Sequence, residues 1–393
     1  MKQPKGFIKP GNEHLVCKLN KSLYGLKQAS RNWNKNLTDS LLSMGFFQLL
    51  SEDCIYYNKN KQVYIVVYVD DLIITGINLI NINWLKEQLI KIYKVRDLGK
   101  AHWVLGIKLD YCENGIVMHQ EVYSNKLLSK FEMLNAKSMS TPMTSDIYSD
   151  GKDKNFENNT LYRQVIGTLL FLSNCTRPDI NFAVSYLSRF VENPKQYHWV
   201  AVKRILRYIN VTKSLGLLFK YGNNGELTAY IDAAYANNIN DRKSTSGFIA
   251  YYNGCPISWY SKKQQIVATS STEAEYVALS LGFKTILYLR NILLELNLFD
   301  ETKSIPLMED NQATILMANN GSSTKRSKHI DVRYHFCKQQ IKLGIINLKY
   351  CSTNEMVADM FTKPLEKLKF NQFVPRLGMI IIKLKAKEGI ENN

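Results

Sequence analysis

Apolar residues change period several times along this chain, and each change marks a predicted element. In VYIVVYVDDLIITG, residues 63–76, Val63, Ile65, Val67 and Val69 lead into an acidic pair, and Leu72, Ile73 and Ile74 lead out of it. That predicts a β-hairpin with Asp70 and Asp71 at its turn. Upstream, residues 20–45 run into an amphipathic helix ending near Gly45. Downstream, Leu85, Leu89, Ile92 and Val95 repeat at helical spacing over 82–95. Residues 97–120 read as strand, turn at Asn114-Gly115, strand, and a helix follows at about 121–134. The polar stretch 137–160 is the best linker candidate.

Three helical patterns occupy 161–212. Pro178 and Pro194 suit first helical turns, with Thr176 and Asn193 as caps. In the third helix Trp199, Val202, Leu206 and Ile209 share a face, flanked by Lys203, Arg204 and Arg207. After Gly222 the class changes. Strands at about 227–234, 246–252 and 256–260, with turns at Asn240-Asp241 and Asn253-Gly254, precede a helix at 271–296. Strand 304–309, helices 310–318 and 330–343, strand 345–351 and helix 354–362 complete a mixed-sheet α/β domain. No internal repeat is present. The fold class expected for the whole is α/β and α+β multidomain.

Composition narrows the partners. The 393 residues are 45% hydrophobic and 22% charged, enough to bury a sizeable core. Lys and Arg number 51 against 34 acids, a formal charge of +17. That excess suits a polyanion, nucleic acid first and an anionic membrane second. Seven widely spaced cysteines without a CxxC pair argue against a disulfide framework or a zinc site. A reducing, intracellular location, cytoplasm or nucleus, fits best. The start MKQPKGFIKPGNEH has no signal-peptide pattern, and no run is expected to span a membrane.

Carboxylates supply the candidate chemistry. Asp70 and Asp71 interrupt an apolar run, and acids flanked by buried strands call for a compensating cation, usually Mg²⁺ shared with substrate phosphates. Farther on, Asp232, Glu275, Asp310 and Asp359 each sit in a different element. They converge only if the fold brings them together, and their mutual repulsion then requires cations. Two Mg²⁺ roughly 4 Å apart can activate water and stabilise the leaving oxygen of a phosphodiester. Glu273, two residues from Glu275, points to the opposite side of its helix. The segment 323–335 gathers Lys325, Arg326, Lys328, His329, Arg333 and His335, a natural contact for phosphates. Its histidines are a source of proton transfer or, more simply, structural.

These motifs resemble the C-terminal part of the Pol polyprotein of copia-type long-terminal-repeat retrotransposons. LVCKLNKSLYGLKQASRNW (15–33), YVDDLIITG (68–76) and DLGKAHWVLGIKL (97–109) resemble its reverse transcriptase. TRPDINFAVSYLSRF (176–190) and HWVAVKRILRYI (198–209) resemble the segment between polymerase and nuclease. DRKSTSGFIAYYNGCPISWYSKKQ (241–264), SSTEAEYVALS (270–280), EDNQA (309–313), SKHIDVRYHF (327–336) and NEMVADMFTKPL (354–365) resemble its ribonuclease H.

The resemblance implies a partial palm over 1–117 and a helical thumb or connection over 118–222, with the 137–160 linker inside it. A ribonuclease H-like domain over 223–366 and a basic tail over 367–393 complete the expected division. Asp70 and Asp71 take the places of the palm carboxylates. Gln28 lies near the incoming nucleotide, and Leu98 to Ile107 form the primer grip. Asp232, Glu275, Asp310 and Asp359 take the places of the nuclease's ligands for two Mg²⁺, or Mn²⁺. RNA, DNA and their hybrid are the implied partners, with Lys203, Arg204, Arg207, Lys325, Arg326, Lys328 and Arg333 as contacts. Two departures qualify this. The family's third palm acid lies upstream of MKQPKGF, so polymerase activity is expected to be lost. Ile231 and Ala234 stand where the family has Ser or Thr and a second acid. RNA cleavage in hybrids is the expected activity; the rival is a remnant that only binds nucleic acid.

Overall fold

The computed structural model of the chain describes residues 1–145, 154–222, 224–320 and 331–382. It divides into two units, Met1–Gly99 and Lys100–Asn393, so the first boundary falls at 99 rather than near 117.

In the first unit α1 (Ala29–Ser43) precedes a meander of β1 (Phe47–Gln48), β2 (Ile55–Asn58), β3 (Val63–Tyr68) and β4 (Asp71–Gly76), in spatial order β1-β2-β3-β4. Strand β3 alternates as expected: Val63, Ile65 and Val67 are buried and Val66 and Tyr68 are exposed. Leu37 and Leu41 of α1 close on that face together with Leu85 and Leu89 of α2 (Leu79–Ile92). Each such side chain contributes roughly 1.5–3 kcal/mol by leaving water. Helix α2 begins earlier than its periodicity suggested because the Asn78 side chain accepts from the Asn81 N–H at 2.9 Å. It stops at Tyr93, whose backbone is extended, so Ile92 and Val95 lie exposed instead of continuing the apolar face.

The second unit contains two sheets and a helical layer. β5 (Trp103–Val104), β6 (Ile107–Cys112) and β7 (Gly115–His119) form the expected hairpin. After α3 (Glu121–Lys130), α4 (Asn159–Cys175), α5 (Asn181–Ser188) and α6 (Gln196–Thr212), strand β8 (Leu215–Lys220) returns to pair with β7. The second sheet holds β9 (Leu227–Ala234), β10 (Thr245–Tyr252) and β11 (Cys255–Lys263). Across α7 (Ser271–Glu295) it continues with β12 (Ile305–Glu309), and after α8 (Gln312–Asn320) and α9 (Asp331–Lys342) with β13 (Ile346–Tyr350). Its order is β11-β10-β9-β12-β13, with β9, β10 and β11 antiparallel and β12 parallel to both neighbours. This is the mixed sheet that the strand pattern after Gly222 predicts, and the expected last helix is a 3₁₀ helix, Val357–Phe361.

Three expectations change. Residues 367–382 are not a tail: α10 (Lys367–Phe373) buries Phe370 and Phe373, and β14 (Met379–Ile381) pairs with β8. The helical segment and the mixed-sheet part are not separate bodies either. One core joins Leu169 of α4, Val184 of α5 and Leu206 of α6 to Ile249, Tyr251, Val357 and Phe361. Trp259 Nε1 donates to Ser173 O at 2.9 Å, and Ser185 Oγ to Ser261 O at 2.7 Å. Third, α7 has 25 residues and is long and apolar enough to cross a membrane. Its apolar length serves the core against the second sheet, where Tyr276, Leu279, Phe283 and Ile286 are buried.

Candidate metal and nucleic-acid site

Parallel pairing of β9 with β12 builds the candidate site. Ala229 lies beside Leu307 and Tyr230 beside Met308. Two residues further along each strand, Asp232 and Asp310 emerge at the same sheet end. Ile231 points the other way, into the core against α7, where an added Cβ on Gly282 would sit 2.3 Å from its Cδ1. Glycine there lets α7 lie close to β9 and deliver Glu275 from its first turns. The departure at Ile231 is therefore a packing position and not a site position.

Carboxylate oxygens of Asp232, Glu275 and Asp310 all lie within 4.8 Å of one another. Asp232 and Glu275 are buried, and Asp310 is partly exposed. Burial, reinforced by the Asp359 charge, pushes the Asp232 carboxyl up to about 7. Glu275 is raised well above the usual carboxylate range by burial and then by Glu309 and Asp232. The Thr362 hydroxyl donates to Asp232 Oδ2, and the Thr353 hydroxyl donates to Asp310 Oδ2 at 2.8 Å.

Asp359 is buried beside this group but does not join the three. Its Oδ1 is 2.6 Å from Lys363 Nζ and its Oδ2 2.6 Å from Lys369 Nζ. Sequence reasoning missed Glu309, fully buried at the end of β12, with Oε1 accepting the Asn311 N–H at 3.1 Å. Its carboxyl is also raised, chiefly by burial. Strand alternation sends it away from Asp310, so only its place at a strand terminus beside that acid could have pointed to it. Glu273 stays out of the site, as expected, accepting the Thr269 N–H at 2.8 Å in the turn before α7.

Asp70 and Asp71 are placed differently. They stand at the tip of the β3–β4 hairpin, and both are exposed. The burial that would have demanded a cation is absent. Val69, at φ +54°, holds a left-handed conformation unusual for a β-branched residue, and Trp33 Nε1 donates to its carbonyl at 3.0 Å. Among the described residues no third acid joins this pair. Gln28 is exposed just before α1.

The basic contacts divide as well. Arg204 Nη2 donates to Thr141 Oγ1 at 2.9 Å, and Arg207 Nε donates to Lys137 O. Both arginines fasten the first part of the expected linker to α6, so they do not form a free phosphate track. Lys203 and Arg333 are half-buried. Lys325, Arg326, Lys328 and His329 lie outside the described residues; His335 is exposed on α9.

A family model described as reverse transcriptase (RNA-dependent DNA polymerase) matches residues 1–145. The retrovirus-related Pol polyprotein from transposon TNT 1-94 of Nicotiana tabacum is 38% identical over 96% of this chain and 29% of its own length. The chain thus spans under a third of that relative. A protein assigned to transposon Ty5-1 of Saccharomyces cerevisiae is 34% identical over 71% of this chain and 92% of its own length. Among solved structures, an RNase H1 isolated from compost covers 35% of this chain and 93% of that one, at 13% identity and a TM-score of 0.28.

Proposed function

The chain belongs to the Pol polyprotein family of copia-type long-terminal-repeat retrotransposons, and from that premise we propose that its C-terminal half cleaves the RNA strand of RNA–DNA hybrids by metal-assisted hydrolysis. The observation that carries this reading is the approach of three carboxylates from β9, α7 and the end of β12 to within 4.8 Å. The donors fit a hard divalent cation: all are oxygens, and Glu275 Oε2 is buried without a hydrogen-bond partner. Asp232, Glu275 and Asp310 would hold Mg²⁺ or Mn²⁺, which supplies an activated water and charge stabilisation at the leaving oxygen. Thr362 and Thr353 each fix one oxygen of their acid and so orient the other. The +17 charge suits a phosphate backbone, and a hybrid would be read through its shape and 2′-OH groups.

The purified chain should cut the RNA strand of a hybrid only with Mg²⁺ or Mn²⁺ and spare single-stranded RNA. Asp310→Asn should lower the rate by about two orders of magnitude or more while hybrid affinity holds. Cleavage that survives this substitution would refute the site. A second reading, hybrid binding without cleavage, is favoured by the pairing of Asp359 with Lys363 and Lys369. Salt-sensitive binding with no product at any Mg²⁺ concentration would select it.

For the palm hairpin, two exposed acids are too few to fix a two-metal polymerase site. This chain alone should therefore not extend a primer on an RNA template. Extension that disappears in Asp70→Asn would overturn that expectation.

A further inference from the structure

Asp359 is the one acid beside the nuclease site already matched by cations, and the two lysines that match it differ. Lys369 Nζ also donates to Thr353 O at 3.0 Å and lies 5.4 Å from the ring centre of Phe373 in the same helix, so its ammonium is held on more than one side. Lys363 stands four residues after Asp359, and its side chain remains 41% exposed. Its charge acts on Asp232, Asp310 and Glu275 as well as on Asp359. An ammonium group with a single close ion pair and a path to solvent can be displaced.

The backbone that carries Lys363 cannot easily move. A Cβ on Gly247 of β10 would lie 2.6 Å from Thr362 Cγ2 and 2.7 Å from Ala358 O. The 3₁₀ helix is thus seated on bare backbone, and Thr362, next to Lys363, is hydrogen-bonded to Asp232. What can swing is the lysine stem and little else.

We propose that Lys363 is a built-in countercharge that withholds Asp359 from a divalent cation. The protein free of nucleic acid then takes one cation at Asp232, Glu275 and Asp310, and a second binds only when the Lys363 ammonium leaves. Arrival of a phosphate, a better partner for an ammonium in solvent reach, would release it. This inference rests on the metal-assisted reading above, and the experiment separates the two.

Calorimetric titration of the full chain with Mn²⁺, without nucleic acid, should show one tight site and a second far weaker. Lys363→Met should strengthen the second by about tenfold and the first, whose acids also feel the Lys363 charge, by clearly less, while Lys363→Arg should behave as wild type. If Lys363→Met does not fold, Asp359→Asn gives an independent reading: first-site affinity should stay within about twofold of wild type, because Asp359 is not among its ligands. Two equal sites in the wild type, no change in Lys363→Met, or a tenfold loss of the first site in Asp359→Asn would each overturn the role of Lys363. Absence of any Mn²⁺ binding to the wild type would instead overturn the metal-assisted reading itself.

Discussion

At Asp232 the sign of the pH dependence follows from the environment of one carboxyl. Burial and the neighbouring Asp359 raise it to about 7, so the folded protein keeps a proton that the unfolded chain releases near pH 4. The contribution of Asp232 to the stability of the cation-free protein is therefore full below about pH 4 and is lost as pH rises through about 7. Thermal melts without divalent cation should show the melting temperature falling across that window, with Mg²⁺ restoring most at the upper end. A melting temperature that rises through it in the absence of divalent cation would contradict the assignment of Asp232. The meeting of Asp232, Glu275 and Asp310 was foreshadowed in the sequence, where each acid marks a different element of the predicted order. Glu309 and the lysine partners of Asp359 were not, since burial and charge pairing are made by packing. Asp70 and Asp71 show the converse error. Their apolar flanks suggested buried acids, but a hairpin tip carries its turn residues out of the sheet.

Among elements, the 3₁₀ helix Val357–Phe361 depends on its contact with β10. Because the nearest atom to a Cβ at Gly247 after Thr362 Cγ2 is a backbone oxygen, Ala358 O, the neighbour cannot rotate aside. Gly247→Ala should cost about 1–3 kcal/mol through overpacking. It should also weaken the Thr362 bond to Asp232, lowering Mn²⁺ affinity. Chemical denaturation and metal titration read the two effects separately, and unchanged values for both would show that β10 and the 3₁₀ helix part without penalty. Elements with a clean period were legible: β9, β10, α7, β12 and β13 lie within a residue or two of expectation. β8 and β14 were missed because LGLLFK and MII are short apolar runs whose partners lie far off in sequence. The basic face of α6 was seen, but Arg204 and Arg207 bond to residues 137–141, and no local pattern reveals such a contact.

For the molecule as a whole, the composition change at Gly222 is real but does not divide the fold. Helices α4 to α6 present their apolar faces to β10, β11 and the 3₁₀ helix, so 159–212 and 224–382 bury one common core. Strand β14 closes the second unit by pairing with β8 and tying the chain's last described residues to the sheet of β5 to β8. A core held in common makes separate unfolding costly, because either part alone would expose the apolar surface of the other. Leu206 of α6 is fully buried in it, and Leu206→Ala should cost about 2–5 kcal/mol. The loss should appear equally in hydrogen-exchange protection of α6 and of β10, since both would open in the same cooperative event. Residues 1–99 bury their own core of Leu37, Leu41, Val63, Ile65, Leu85 and Leu89, and their protection should not change. Loss confined to the helices, with β10 as protected as before, would mean that the helical segment and the mixed-sheet part fold independently.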